Sequence, residues 1–523
     1  MKLSKYIATG CIAAMAFFGT SCVGDLDVEP NDPNTKLGLE TQAEWDGYLA
    51  RLYWNFLDDT GDLVSTSDGG AGSFTRSHFN LQEVVADEFF ISEKWNDPGY
   101  NTLNFNTWAN NNEWVYAAFS REFFMAKMCA EYIRDITSAQ PEFYTAEEIS
   151  ARVAEAHVIR CYAYWCMIDL FGRGPWIDEN SVTGDIPPTY DRTQLFEAVV
   201  AELKAAIPGV KWAAQQDYGR VSREAAYMLL AKLYLNAGVY TGTPMWAECA
   251  EACKMVMSTG IQLAEEYKYL FCASNDKYVG NGEILWAVPQ LQGRFTTWGG
   301  TTYLTCGAWI ESAPANVLNS LNSGDTPWSG LRIRPELSKA LKGDKRRLIY
   351  EGTYQEEIPD LAAFDKNSCG YMLIKYTNTT EDDYDNSKFL AANPGANLNN
   401  GTAMSNTDYP LFRLADTYLM LAECQLNGVQ CDGLARLNDV RARAGMEPVA
   451  ALSEEVILKE RMCELYGEGT RRSDLIRFGK YTGDQYVWSW KGGVLEGAYI
   501  DSYRALFAIP YQYIETVGQN PGY

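Results

Sequence analysis

Four stretches of this chain carry residue types suited to gripping a ligand without breaking it. Ser65 to Asn80 reads STSDGGAGSFTRSHFN, Ile91 to Asn112 reads ISEKWNDPGYNTLNFNTWANNN, Thr296 to Cys306 reads TTWGGTTYLTC around Trp298, and Trp328 sits in DTPWSG. Their tryptophans stand among Gly, Pro, Asn and Thr, residues that punctuate a chain into loops. Sugars present apolar C–H faces and rings of hydroxyls. Aromatic plates edged by planar amide, carboxylate or guanidinium groups match that chemistry. Core packing is the competing reading for each tryptophan.

Other chemistries find less support. The net charge of −24 repels phosphate backbones, which makes nucleic acid a poor partner. Ser274, Asn275, Asp276, Asn406 and Asp408 offer hard oxygen ligands, so Asp276 and Asp408 mark a candidate structural calcium site, although calcium takes six to eight oxygens and solvated loop acids are the competing reading. No other cofactor is required. The pairs Cys161/Cys166 and Cys249/Cys253 lack CxxC spacing, and His78 and His157 are the only histidines, so neither a zinc site nor a cysteine protease is indicated. Most cysteines fall within apolar helical patterns and read as buried free thiols. His157 lies beside a helical stripe and reads as structural. The 68 Asp and Glu residues leave many carboxylate pairs for a glycosidase, but no motif selects one.

The elements that must position the loops are mainly helical. Apolar residues recur at helical spacing over Gln42–Leu57, Glu113–Ile133, Ala151–Phe171 and Gln194–Ile207. Val221 to Met257 reads as two helices joined across VYTGTP, with Ala226, Ala231 and Ala250 allowing close approach in the manner of a tetratricopeptide repeat. Such a pair cannot bury its face alone, so neighbours must stack on it. EILWAVP (283–289) and Tyr371–Tyr376 read as short strands. Leu411, Leu414, Ala415, Tyr418, Leu419 and Ala422 mark one more helix, Leu434, Leu437 and Val440 the next, capped by Gly445, and Ser453 caps a third. Glu460, Arg461, Glu464, Glu468, Arg471, Arg472, Asp474 and Arg477 can pair across the turn that follows.

At the N-terminus, Lys2 and Lys5 precede an apolar run too short to span a bilayer permanently, then Gly19, Thr20 and Ser21 lead into Cys22. This is the pattern of a bacterial lipoprotein signal (1–21) with Cys22 as the lipidated residue, and an acidic tether (22–40) follows. The remainder, 41–523, reads as one composite domain: a helical scaffold mainly at 113–260 and 409–480, and binding loops mainly at 60–112 and 290–400.

FRLADTYLMLAE, LNDVRARAG and ERMCELYGEGTRRSDLIRFG, together with AEAHVIRCYAYWCMIDLFGRGPW and the closing FAIPYQYIETVGQNPGY, resemble the motifs of the SusD/RagB family. The resemblance covers Cys22 to Tyr523. It implies a tetratricopeptide-like fold and a non-catalytic lipoprotein of the outer membrane. Such a protein faces the cell exterior and hands nutrients to a SusC-type TonB-dependent transporter. TTWGGTTYLTCG and the Asp68–Arg76 spacing are similar to loops of the family's starch-binding founder, which implies an α-glucan oligosaccharide as ligand. On that likeness Trp298 and Trp328 are stacking plates, Asp68 and Arg76 are hydroxyl partners, Trp95 is a third plate and Asn96 lies beside it. A loop-stabilising Asp68–Arg76 pair is the alternative for those two. RagB-like capture of peptides, capture of another glycan, and glycoside hydrolysis are the alternative functions.

Overall fold

The computed structural model describes residues 39–61, 64–67, 70–92, 98–181, 184–291, 294–321, 327–360, 368–382 and 404–523. Cys22 and its tether, Asp68, Trp95 and Asn96 lie outside them. The chain divides into two units, 1–48 and 49–523. In the first, Glu44 accepts hydrogen bonds from the backbone of Glu40 and Thr41, which opens helix α1 (Gln42–Trp54). Everything below belongs to the second.

After the short helix α2 (Phe74–Phe79), the frame begins with α3 (Glu113–Ala139). Asn112 starts α3 by accepting from the Trp114 and Val115 N–H groups. Capping boxes at Thr145/Glu148 and Asp191/Gln194 open α4 (Ala146–Leu170) and α5 (Arg192–Ala206). The expected hairpin follows as α6 (Arg223–Leu235) and α7 (Trp246–Met257). Helices α8 (Leu414–Leu426), α9 (Gly433–Arg443), α10 (Glu454–Leu465) and α11 (Arg471–Arg477) complete the set. Ser453 accepts from the Val456 N–H, and Gly445 follows α9 at φ +71°, as its glycine suggested. Each helix from α3 to α8 packs on the next, and α8 packs on α9 and α10. The mainly α, tetratricopeptide-like expectation holds.

Short antiparallel strand pairs tie distant segments together. Strand β1 (Phe89–Ile91) pairs with β3 (Leu331–Ile333), and β2 (Ile284–Val288) with β4 (Tyr409–Arg413). Leu411 therefore lies in a strand and not on the helix its spacing predicted; the buried β2 edge captures this segment, and helix starts only at Leu414. Residues 507–509 are buried, Asn520 Nδ2 donates to the Phe171 and Phe507 carbonyls, and Trp108 Nε1 donates to the Tyr523 hydroxyl at 2.7 Å. The described cysteines are free thiols, all buried except the half-buried Cys431. No helix among the described residues is long and apolar enough to cross a membrane.

The ion pairs predicted around α10 and α11 form, but they are buried and reach far beyond those helices. Arg413 bridges Glu283 (2.7 Å), Glu464 (2.9 Å) and Glu468 (2.6 Å). Arg443 joins Glu283 at 2.7 Å and also Glu464. Arg461 contacts Asp416 and Asp474, and Arg477 clamps Glu423 with two bonds. Arg471 holds Asp87 the same way, and Arg472 holds Asp169 at 3.0 Å. Burial alone would raise the Glu464 carboxyl, but Arg443, Arg413 and Arg346 hold it below the ordinary carboxylate range. Planar guanidinium forks suit such shared, desolvated carboxylates.

Candidate functional site

Trp298 and Trp328 are brought together, with ring centroids 5.8 Å apart and planes tilted by 48°. Trp298 is 39% exposed, and Trp328 is half-buried. Core packing therefore does not account for Trp298.

Each ring has a firm seat. The Trp298 N–H donates to Asp59 Oδ2 at 2.8 Å. Burial pushes the Asp59 carboxyl above its ordinary value, and the Trp298 and Gly299 amides partly offset that. Ser73 Oγ donates to the Gly299 carbonyl at 3.0 Å while accepting from the Arg76 N–H as the cap of α2. Backbones approach closely here. A Cβ on Gly299 would sit 1.9 Å from Ser73 Oγ and 2.4 Å from the Gly70 carbonyl, so only glycine fits. Trp328 leans on a small core of Cys306, Trp309, Ile310, Ala313, Leu321 and Met372, and its N–H donates to the Cys306 carbonyl.

Arg76 does not stand with these rings as a hydroxyl partner. Its guanidinium carbon lies 4.9 Å from the ring centres of both Trp114 and Tyr303, its Nη2 donates to the Tyr100 hydroxyl at 2.7 Å, and its side chain is buried. Cation–π contacts retain it as a strut beneath the loops. The wider loop reading of 65–80 is corrected as well: residues 70–80 are buried. Phe74 packs edge-on against Phe56 and Tyr162 at 5.3 and 5.7 Å, which draws α2 into the core.

The calcium expectation meets an unfavourable donor set. Asp276 is exposed, but Asp408 is buried and already accepts from the Gln290 N–H (2.8 Å) and the Tyr218 hydroxyl. Burial pushes the Asp408 carboxyl up to about 7. A buried acid whose ionisation burial opposes and whose oxygens already accept hydrogen bonds, beside one exposed carboxylate, is a poor start for a cage of six to eight oxygens, and the two do not fit the ion as placed. His157 is a structural residue, with Nδ1 2.8 Å from Glu202.

One feature was not singled out from sequence. A cavity of about 570 Å³ is lined by Thr102, Asn110, Asn112, Glu113, Tyr116 and Tyr511 among others. Asn112 fixes its floor, donating to Thr102 Oγ1 at 2.9 Å and to the Gly99 carbonyl at 3.2 Å, and the Tyr511 N–H donates to the Asn110 carbonyl. The signal was the WANNNE run, whose amides serve here as lining and cap.

A frame of stacked helix pairs, carrying a ledge of paired indoles and a polar cavity, defines a scaffold of the tetratricopeptide-like binding class. Residues 345–522 match the SusD family model. The chain is 28% identical to the starch-binding protein SusD of Bacteroides thetaiotaomicron, over 99% of this chain and 100% of that one. It is also 28% identical to the SusD-like protein P25 of Formosa agariphila, over 62% of this chain and 63% of the relative. Among solved structures, surface glycan-binding protein A of Bacteroides fluxus superposes with a TM-score of 0.71 at 20% identity, covering 93% of this chain and all of its own. The equivalent protein of B. thetaiotaomicron, solved with laminarihexaose, gives 0.67 at 18% identity, covering 92% and 99%. Along nearly its whole length this chain is thus similar to SusD and SusD-like proteins.

Proposed function

We propose that this protein is a non-catalytic, cell-surface glycan-binding lipoprotein that captures starch-like α-glucan oligosaccharides and delivers them to a SusC-type TonB-dependent transporter in the outer membrane. The observation that carries this reading is the Trp298–Trp328 ledge, set in a chain that is similar from end to end to a starch-binding protein. Two tilted plates follow a curved chain of sugar rings better than a flat one, and each contributes modest, reversible affinity suited to capture and release. Asp68, Trp95 and Asn96 are further sugar partners in this proposal, while Arg76 is a buried strut. The hydroxyls and amides of the 570 Å³ cavity offer further sugar partners. Cys22 is the lipid anchor.

Affinity electrophoresis against amylopectin, pullulan, dextran, xyloglucan and laminarin tests the ligand class. Laminarin belongs in the panel because solved neighbours include a laminarin-binding SusD-like protein. Retardation by amylopectin and pullulan is expected, with millimolar to micromolar calorimetric affinity for maltoheptaose and no shorter products after long incubation. Unretarded migration with the α-glucans alongside retardation by laminarin would replace starch with a β-glucan. Shorter maltooligosaccharides would make the protein an enzyme.

A further inference from the structure

Beneath the ledge, three helices aim unlike side chains at one point. His78 from α2, Glu122 from α3 and Cys166 from α4 present ligand atoms that all lie within 4.8 Å of one another. The three side chains are 6%, 0% and 1% exposed. Both Glu122 oxygens and His78 Nδ1 have no hydrogen-bond partner. Buried polar atoms are paired in the great majority of cases, so three unpaired ones converging is a concentration that calls for an occupant. The imidazole is also turned for ligation. A backbone hydrogen bond ties the ring to Gly469, where an added Cβ would lie 3.4 Å from Cδ2 and 3.7 Å from Nε2, so it is the Cδ2–Nε2 edge that faces Gly469 and Nδ1 is left as a bare acceptor.

We propose that His78 Nδ1, a Glu122 oxygen and Cys166 Sγ form a buried structural site for a borderline divalent cation, zinc in the first instance. One neutral imidazole, one carboxylate and one thiolate are an ordinary zinc donor set, and with Zn²⁺ they sum to zero charge, which suits a site walled off from water. Ligand atoms around tetrahedral zinc stand roughly 3.5 Å apart, so the cluster closes by about 1 Å through side-chain rotation. The second Glu122 oxygen or a water takes the fourth position. The metal takes Cys166 as thiolate and Glu122 as carboxylate, so any proton either carries leaves as the ion enters. Neighbouring charges are already engaged: Arg472 with Asp169 and Lys232 with Asp416.

The test uses the tag-free mature chain, refolded from denaturant with equimolar zinc chloride and passed through gel filtration. Mass spectrometry of the metal should find one zinc per chain, and zinc should raise the melting temperature. Cobalt loading should give a near-ultraviolet thiolate-to-cobalt band. Cys166→Ala and Glu122→Gln should each lower metal content at least tenfold, and Cys166→Ala should abolish the band. Wild-type protein that refolds without metal above a buffer blank overturns the site and leaves Glu122 as a neutral acid facing His78. Metal retained equally by wild type and both variants overturns it too. Should a variant fail to fold, the wild-type metal content and cobalt band decide.

Discussion

The helical block from α8 to α11 and the Trp298–Trp328 ledge are held by opposite means. In the block, arginines and carboxylates are desolvated and shared, so cations such as Arg413 and Arg461 are committed to several acids at once. In the ledge, one indole is left partly in water, and its support comes from backbone contacts and a small apolar core. The first arrangement makes loss of any partner expensive, because an uncompensated charge stays buried. The second leaves rings free to exchange water for ligand at little structural cost. A frame fixed by shared buried charges and a partly exposed surface seated on backbone contacts are thus built into one chain from different interactions.

Breaking the frame should have the largest effect. Arg413→Met removes the one cation shared by Glu283, Glu464 and Glu468, leaving them to Arg443, Arg346 and Lys375, and should cost about 3–5 kcal/mol in thermal or denaturant unfolding. Glucan affinity per folded molecule should be unchanged. Equal loss of affinity would show that frame and ledge are not separable. Gly299→Ala attacks the seam between the ledge and Ser73, and should cost about 1–3 kcal/mol while weakening maltoheptaose binding in calorimetry.

Asp408 sharpens the comparison through pH. Its folded value of about 7 lies above the unfolded value of about 3.9, so its contribution is fully present below about 4 and is lost as pH rises through about 7. Asp408→Asn cannot ionise. Its melting temperature relative to wild type should therefore improve from pH 5 to pH 8, by the equivalent of about 2.5 kcal/mol. A constant difference would mean that Asp408 does not titrate in that window. Trp298→Ala should have the smallest effect, weakening maltoheptaose binding roughly 3- to 10-fold, or about 0.5–1.5 kcal/mol, with the melting temperature unchanged. Unaltered affinity would remove Trp298 from the ligand surface.

Local pattern made the helical hairpins, the Ser453 and Gly445 caps and the strand at 284–288 legible. Partners distant in sequence were not. Periodicity says which face of α10 is buried but not that Arg413 will find Glu283, or Arg471 Asp87. The glycines of 65–80 read as loop, whereas Phe74 and Phe79 in the same stretch are buried and take α2 inward. Arg76 went inside because two rings, Trp114 and Tyr303, flank it from elsewhere in the chain. The absence of CxxC spacing argued against zinc, yet His78, Glu122 and Cys166 need no local motif when three helices bring them together.

The stitching of Trp108 to Tyr523 and of Phe171 to Asn520 bears on the order of assembly. Most helix pairs in the stack are neighbours in sequence and can form as they emerge from the ribosome. The flank around Trp108, Phe171 and Phe507 cannot close until residues 519–523 arrive, because closing so long a loop is entropically costly and slow. Until then the nearly finished molecule carries an open apolar seam, and that interval is when a chaperone or protease has most to grasp.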